Sequence, residues 1–389
     1  MITVKRSSKH LKYTPSKRRW NLDATSFGPA LKLVVALLLL AGLVLLTVYT
    51  VVPFLTEKLQ NGGSLFSKET ETAVVETPAP TNPILANQVK TVQYGEGYGL
   101  PAAVVDPSVY ENEILFATGE SEDACDRLVR LEPETGAFET VEVQRTNDTL
   151  RCPVENADVL VYLDAKLAGG GSIRMLDKLS GETSVLAEYA YAAPHLSLEA
   201  PYLVWTEHTG ETTAKLMVCN IETKELLTLA VFEDSSYADS EPSIKSGQVI
   251  YADADETNPD DSLIRTVLLS DGSRWDYSAG TYVHDPKSAG DRWAYLTGNH
   301  DGDSDLYVSV NGGSPKRIAR GVIDFDITLS CVVYSRDETV YAYTFSDDKT
   351  FVLSETSTNS QFVMAGGDYA LWRDMTDPDS PLWKYIKVV

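Results

Sequence analysis

The stretch Leu203-Val204-Trp205-Thr206 decides the fold of this 389-residue chain, because a similar segment recurs at a nearly constant interval. Each copy is a short apolar run with one aromatic residue at its third position. Successive aromatics are 46, 43, 46, 44, 39 and 38 residues apart, which is the length of a four-stranded propeller blade. The repeat predicts an all-β, seven-bladed β-propeller, with six blades as the alternative if the last units merge. The aromatics are Phe116, Tyr162, Trp205, Tyr251, Tyr295, Tyr334 and Trp372.

The last repeat is one strand short, since only residues 381–388 follow Trp372 as a strand-like segment. Residues 88–94 read as an isolated strand near the start of the repeats. Pairing the two segments would close the ring and remove the exposed edges that an incomplete blade presents. We therefore predict a propeller domain over residues 88–389 that is closed by its first strand.

A second signal precedes the repeats. Residues 33–56 form an uncharged, mostly apolar run that exceeds the ~20 residues needed to cross a bilayer. The run ends at Val52-Pro53-Phe54-Leu55 without a small-residue cleavage site, so an uncleaved signal anchor is favoured over a signal peptide. Residues 1–32 hold eight basic residues against one acid, which predicts a cytoplasmic N-terminus and a single-pass cell-membrane protein. The rest of the chain would then be extracytoplasmic.

Residues 57–87 are polar and contain Thr77-Pro78-Ala79-Pro80-Thr81-Asn82-Pro83, a composition typical of a disordered stalk. Without the basic tail, the chain has 25 basic and 55 acidic residues, a net charge of −30. Such acidity disfavours nucleic acid as a partner and favours a soluble, monomeric ectodomain. The membrane is contacted only through the helix predicted over residues 33–56.

Four cysteines follow the predicted anchor. Cys125 precedes a third strand and Cys152 lies in the connection to the next blade, and these loop types emerge on the same face of a propeller. A Cys125–Cys152 disulfide is therefore geometrically reasonable. Cys219 and Cys331 lie within apolar strands and are interpreted as buried thiols. No CxxC or Cys/His cluster indicates a metal site.

One repeat resembles a known family. Asp301-Gly302-Asp303-Ser304-Asp305-Leu306-Tyr307-Val308, followed by Asn311-Gly312-Gly313-Ser314-Pro315, is similar to the WD40-like repeat of TolB-type propellers. The match is good over about 20 residues and weaker over the other units. The resemblance implies a propeller that serves as a binding platform in the cell envelope.

Acidic residues concentrate in the loops that follow the aromatic strands, and these loops should share one face of the propeller. Variable, charged loops on a constant scaffold are where ligand specificity is usually placed. Oxygen-rich loops also suit Ca²⁺, although the Asp-x-Asp-x-Asp order of residues 301–305 lacks the glycine position of an EF-hand loop. The alternative is aspartate that stabilises tight turns. The candidate ligand-binding residues are Asp253, Asp255, Glu256, Asp260, Asp261, Asp301, Asp303 and Asp305.

Enzyme signatures are missing from the sequence: there is no G-x-S-x-G, H-E-x-x-H, P-loop or G-x-G-x-x-G motif. We therefore predict no catalytic residues and no cofactor, with Ca²⁺ as the alternative. The expected function is a non-catalytic scaffold that binds an envelope protein or a polysaccharide. The alternative is a propeller glycoside hydrolase or lectin that acts on cell-wall or extracellular polysaccharide, since propellers host both kinds of activity. Two carboxylates facing each other in the central channel would favour hydrolysis.

Overall fold

The computed structural model describes residues 88–95, 100–233, 235–258, 261–280, 282–298, 304–354 and 359–388. These residues form antiparallel strands joined by tight turns, and one short helix, α1 (Ser235–Ala238). The first nine strands are β1 (Lys90–Thr91), β2 (Ala103–Tyr110), β3 (Glu113–Gly119), β4 (Cys125–Glu132), β5 (Ala137–Val141), β6 (Thr149–Glu155), β7 (Val159–Ala165), β8 (Gly171–Asp177) and β9 (Thr183–Tyr189).

The next eight strands are β10 (Ser197–Glu199), β11 (Tyr202–His208), β12 (Ala214–Asn220), β13 (Glu225–Phe232), β14 (Ser243–Lys245), β15 (Gln248–Ala254), β16 (Ser262–Leu268) and β17 (Arg274–Gly280). The remaining strands are β18 (Val283–Ala289), β19 (Arg292–Thr297), β20 (Ser304–Val310), β21 (Lys316–Ile327), β22 (Cys331–Arg336), β23 (Thr339–Thr344), β24 (Lys349–Val352), β25 (Ser360–Gly366), β26 (Tyr369–Asp374) and β27 (Leu382–Lys387).

Four sheets are formed by consecutive strands: β2–β5, β6–β9, β10–β13 and β14–β17. A fifth has the order β1-β27-β26-β25 and joins the two ends of the propeller. In it, Lys90 lies opposite Tyr385 and Thr91 opposite Lys384, and the Val92 N–H donates to the Trp383 carbonyl at 2.8 Å. The predicted closure by residues 88–94 is therefore confirmed.

The predicted blade number needs correction. The described residues contain five separate four-stranded blades rather than seven or six, and β18–β24 form one continuous seven-stranded sheet. The sheets fuse because β21 spans 12 residues and pairs with β20 in its first half and with β22 in its second. Gly321, whose φ is +64°, precedes Val322, which is paired with both Ser304 and Arg336. A glycine reaches this left-handed conformation without the steric cost of a side chain.

The repeated aromatic residues lie in the second strand of each unit, and none is more than 4% exposed. This confirms their predicted role in the core. Each shares a hydrophobic cluster with a residue of the preceding aromatic strand, so the clusters run from unit to unit around the ring. The pairs are Phe116 with Leu371, Tyr162 with Leu115, Trp205 with Val161, Tyr251 with Val204, Tyr295 with Ile250, Tyr334 with Leu296, and Trp372 with Val333.

The tail, membrane helix and stalk predicted over residues 1–32, 33–56 and 57–87 lie outside the described residues. Within the residues that are described, no helix is long and apolar enough to span a bilayer.

Candidate functional site: the central channel

The innermost strands surround a central cavity of about 290 Å³. It is lined by residues of β2, β6, β18, β21 and β25, and by residues at or just before β10 and β14. Because the inner strand of each unit begins where the previous outer strand ends, one mouth of this channel shares a face with the loops after the aromatic strands. The fold thus brings together short segments that are roughly 40 residues apart in sequence.

β-Bulges determine where the inner strands place their polar side chains. The register of β2, β6, β18 and β25 shifts by bulging, and each bulge contains a non-glycine residue with positive φ. These residues are Asp106 (50°), Cys152 (46°), Asp285 (49°) and Phe362 (54°). A bulge redirects a side chain and leaves one residue out of the ladder, and the proline that follows Asp106, Cys152 and Asp285 is tolerated there.

Two carboxylates and one lysine line one side of the channel, and two further carboxylates lie close enough to act on the lysine. Lys287 Nζ lies 3.7 Å from Glu241 Oε2 and 3.9 Å from Asp326 Oδ1, and it donates to the Phe325 carbonyl at 3.1 Å. Asp324 and Asp285 also act on Lys287 electrostatically. The Lys287 and Asp326 side chains remain 20% and 24% exposed, so they face the channel rather than the apolar core. The cluster therefore has more negative than positive groups.

The aspartates of this cluster also connect neighbouring inner strands. Asp285 Oδ1 accepts from the Glu241 N–H, Asp324 Oδ2 from the Val363 N–H and Asp326 Oδ2 from the Ala365 N–H, each at 2.8 Å. Inner strands of adjacent blades have no β-ladder between them, so these bonds satisfy backbone donors that would otherwise lack a partner. The carboxylates thus have a structural role in addition to the charge they bring to the channel.

Burial and the neighbouring charges shift the pKa values of these carboxyl groups. Burial raises the pKa of Asp324 to about 7, helped by the negative charges of Glu241 and Asp326 and opposed by Lys287. Burial likewise raises the pKa of Asp326. The pKa of Asp285 is lowered despite its burial, because His284 Nδ1 lies 2.8 Å from its Oδ2 and stabilises the anion. The charge of Lys287 therefore does not fully offset the burial of Asp324 and the negative charges around it.

The channel residues were missed by the sequence analysis. A signal for them exists, because Glu241-Pro242 and Asp285-Pro286 occupy equivalent positions 44 residues apart. An acid before proline at the start of a strand reads locally as a turn. Only the assembled ring shows that these positions meet.

The predicted acidic loop residues have identifiable contacts. Asp253 Oδ2 lies 2.6 Å from Arg265 Nε, and Asp305 Oδ2 accepts from Arg317 Nη1 at 2.6 Å. Asp255 Oδ1 accepts from the Thr257 N–H and hydroxyl at 2.8 and 2.7 Å, which lowers the pKa of Asp255. The Asp255 contacts correspond to the turn-stabilising alternative, whereas Asp253 and Asp305 form ion pairs with the neighbouring strand.

The other acidic loop candidates are distributed as follows. Asp261 accepts from the Asn258 side-chain amide, and Glu256 is exposed. Asp260, Asp301 and Asp303 lie outside the described residues. Ligand binding by this acidic loop face stays a prediction. No group of three or more potential ligands that could hold a metal occurs among the described residues.

All four cysteines are free thiols, so the predicted Cys125–Cys152 disulfide is absent from this structure. The Cys125 thiol lies 3.6 Å from the Ser121 and Glu122 carbonyls, and the Cys152 thiol lies 3.6 Å from Asp106 Oδ2. Burial raises the pKa of Cys125 to about 12. The two thiols therefore have separate hydrogen-bond acceptors instead of a shared bond.

Comparison with known proteins shows the fold. No protein-family model and no curated protein sequence matches this chain. The propeller domain of the Trilobed protease from Pyrococcus furiosus superimposes with a TM-score of 0.55 and 11% identity, covering 74% of this chain and 98% of that one. An oligogalacturonate lyase solved in complex with manganese gives 0.53 and 12%, covering 77% and 93%. Acylaminoacyl peptidase from Pyrococcus horikoshii gives 0.53 and 11%, covering 70% and 49%, so this chain spans about half of that enzyme.

These likenesses establish the β-propeller and do not identify a TolB-type protein. The Trilobed protease propeller is described as having an open velcro topology. Here β1 pairs with β27, so the N-terminal strand closes the terminal sheet. At 11–12% identity, the chemistry of these proteins does not transfer to this chain.

Proposed function

We propose that this protein is a membrane-anchored, extracytoplasmic propeller that acts as a non-catalytic binding scaffold of the cell envelope. The anchor is the apolar run over residues 33–56, and the acidic domain would stand beyond the stalk over residues 57–87. The proposed ligand group is positively charged, such as the lysine or arginine side chains of a protein partner. Its site is the acidic mouth of the central channel.

The observation that carries this proposal is the charge imbalance around Lys287. Glu241, Asp285, Asp324 and Asp326 surround one ammonium group, and Asp324 has its pKa raised to about 7. Burial is the main reason that Asp324 retains a proton near neutrality, and the neighbouring carboxylates add to it. An arriving cation would lower the pKa of Asp324 and release that proton, so binding energy and proton release would be linked.

The acidic loops would add long-range attraction. Glu256 and Asp261 lie at the same face as Glu241, and the chain as a whole carries a net charge of −23. Negative loops around a negative channel raise the encounter rate of a cationic partner, and salt weakens that effect. In this proposal Glu256 and Asp261 steer the partner, while the channel residues bind it.

The test uses full-length protein in detergent and a fluorescent octa-lysine peptide, with octa-glutamate as the negative probe. Glu241→Gln combined with Asp326→Asn should weaken octa-lysine binding by about tenfold. The matched control is Glu188→Gln combined with Glu225→Gln, which removes the same charge from exposed positions on the outer strands β9 and β13. Calorimetry near pH 7 in two buffers should also show proton release on binding. Equal loss of affinity in both variants would reject the channel as the site.

A glycoside hydrolase is a second candidate, supported by the opposite pKa shifts of two channel carboxyls. The pKa of Asp324 is raised and that of Asp285 is lowered, which is the division expected of an acid and a base. The test is release of reducing sugar from cell-wall polysaccharide by wild type and Asp324→Asn. Activity that disappears in the variant would favour the enzyme, and no activity in either protein would favour the scaffold.

A further inference from the structure

A second cavity lies away from the channel, between the β14–β17 blade and the seven-stranded sheet. Its volume is about 460 Å³, within the usual range for small-molecule sites. Gly290 and Gly312 line it, and both belong to turns at the opposite ends of the strands from the acidic loops. The cavity is therefore separate from the proposed channel site, and we call it the aromatic groove.

Aromatic rings form one wall of the groove. Trp275 and Tyr277 alternate on one face of the outer strand β17 and are 53% and 40% exposed. The Tyr277 ring meets Trp293 edge to face, with centroids 5.2 Å apart and an angle of 72°. This contact holds the ring wall in place. Among the described tryptophans, Trp275 alone has more than a third of its surface open to solvent.

Polar groups line the same groove. Gln248 and Thr266 have no side-chain hydrogen bond to other described residues. The Arg292 guanidinium lies over the Phe345 ring at 4.7 Å, and its Nε lies 3.8 Å from Asp291 Oδ1. The amide of Gln248 and the hydroxyl of Thr266 thus remain available beside the exposed rings.

This combination matches the two surfaces of a sugar ring. The C–H face of a pyranose is apolar and packs on an aromatic ring, whereas its edge carries hydroxyls that need donors and acceptors. A purely apolar ligand would leave Gln248 and Thr266 unsatisfied, which costs binding energy. We propose that the aromatic groove binds an oligosaccharide segment of a polysaccharide, with Trp275 as the stacking platform and Gln248 and Thr266 on the hydroxyl edge.

The test uses full-length protein in a detergent without a sugar headgroup, so that the detergent does not compete. Chitotetraose, cellotetraose and tetragalacturonate are titrated while tryptophan fluorescence is followed. At least one should bind and shift the emission of Trp275. Trp275→Ala should weaken its affinity by about tenfold, Gln248→Ala by about fivefold and Trp275→Phe by about threefold.

The matched control is Tyr191→Ala, which removes a 49%-exposed ring from the connection between β9 and β10, on the face of the acidic loops and away from the groove, and should leave saccharide affinity unchanged. The proposal is overturned if none of the three saccharides binds, or if Trp275→Ala and Tyr191→Ala behave alike. It is also overturned if Trp275→Ala instead dissociates a dimer in size-exclusion chromatography, since the groove would then hold a second copy. Octa-lysine binding should be the same in wild type and Trp275→Ala, so this result is independent of the channel.

Discussion

At the residue scale, the most informative group is Asp324. Its carboxyl connects β21 to β25 through the Val363 N–H and also belongs to the channel cluster around Lys287. The carboxylate thus stabilises the fold as a hydrogen-bond acceptor, whereas its negative charge destabilises the fold because it is buried among other acids. Its protonation state therefore affects both the stability of the domain and the charge of the channel.

Asp324→Asn should change the pH dependence of stability. Because the folded pKa is about 7 and the ordinary value is 3.8, the folded state holds a proton that the unfolded chain releases in that interval. Stability linked to Asp324 is therefore full below pH ~4 and is lost as the pH rises through ~7. Asparagine keeps the acceptor oxygen but cannot ionise. The variant should therefore melt roughly 2–4 °C above wild type at pH 8, and at the same temperature as wild type at low pH.

Asp255→Asn is the control for that measurement, because it should change the melting temperature at pH 8 in the opposite direction. Hydrogen bonds from Thr257 lower the pKa of Asp255, so its contribution is present above the ordinary pKa and is lost as the pH falls. This variant should melt slightly below wild type at pH 8. A higher melting temperature for both variants would mean that general loss of negative charge, rather than Asp324 itself, governs the effect.

The cysteines should all titrate as thiols. We expect four free thiols per chain after denaturation under non-reducing conditions, and slow alkylation of the native protein at pH 8, since burial raises the thiol pKa of Cys125 to about 12 and of Cys219 to about 11. Mass spectrometry after alkylation gives the count. A count of two thiols instead of four would show that one disulfide forms, as the sequence predicted for Cys125 and Cys152.

At the element scale, closure rests on the short strand β1. Val92 follows it, is 2% exposed and belongs to the cluster that contains Phe116 and Trp383. Lys90 Nζ donates to the Pro133 carbonyl at 2.7 Å, which connects β1 to the next blade. The strand therefore stabilises both the terminal sheet and its neighbour.

Val92→Pro should destabilise the closed ring. Proline removes the N–H that donates to the Trp383 carbonyl and truncates a buried side chain, so the free energy of unfolding should fall by roughly 3 kcal/mol. Denaturant unfolding measures this. The control is Val92→Ala, which keeps the N–H and should cost about 1–2 kcal/mol less than proline. If proline and alanine cost the same, the hydrogen bond to β27 contributes little.

At the scale of the whole molecule, the dominant property is net negative charge. The chain has 56 acidic and 33 basic residues, and eight of the basic ones precede residue 33. Ion pairs such as Arg265 with Asp253 and Arg130 with Glu155 use part of the remaining positive charge within the sheets. The surplus acid is left on the surface and in the channel, where it repels itself.

Salt should therefore raise the melting temperature of the propeller without causing it to form oligomers. A chain beginning at residue 88 is expected to be monomeric in light scattering and to melt a few degrees higher in about 0.5 M than in about 0.02 M NaCl, because screening weakens the repulsion. Sodium chloride and potassium chloride should act alike. A melting temperature that falls with salt, or a stable dimer, would contradict this prediction.

The sequence by itself determined the repeat, the aromatic core and the closing strand. These follow from local regularity: one large ring per unit must be buried, and a chain with one missing strand and one spare strand can pair them. The loop aspartates were visible for the same local reason. Asp255, however, binds its own turn and Asp253 pairs with Arg265, so local acidity did not indicate free charge.

Only the tertiary structure decided which charged residues meet. Lys287 and Asp326 come from different inner strands and Glu241 lies just before a third, so their proximity depends on ring closure and on the bulges that orient them. The fused sheet could not be predicted for the same reason. Whether two blades separate depends on the path of β21 at Gly321 and not on the repeat length. The aromatic groove likewise forms where β17 faces Trp293 of the next sheet. Contacts between units depend on three-dimensional placement, which the period of a repeat does not contain.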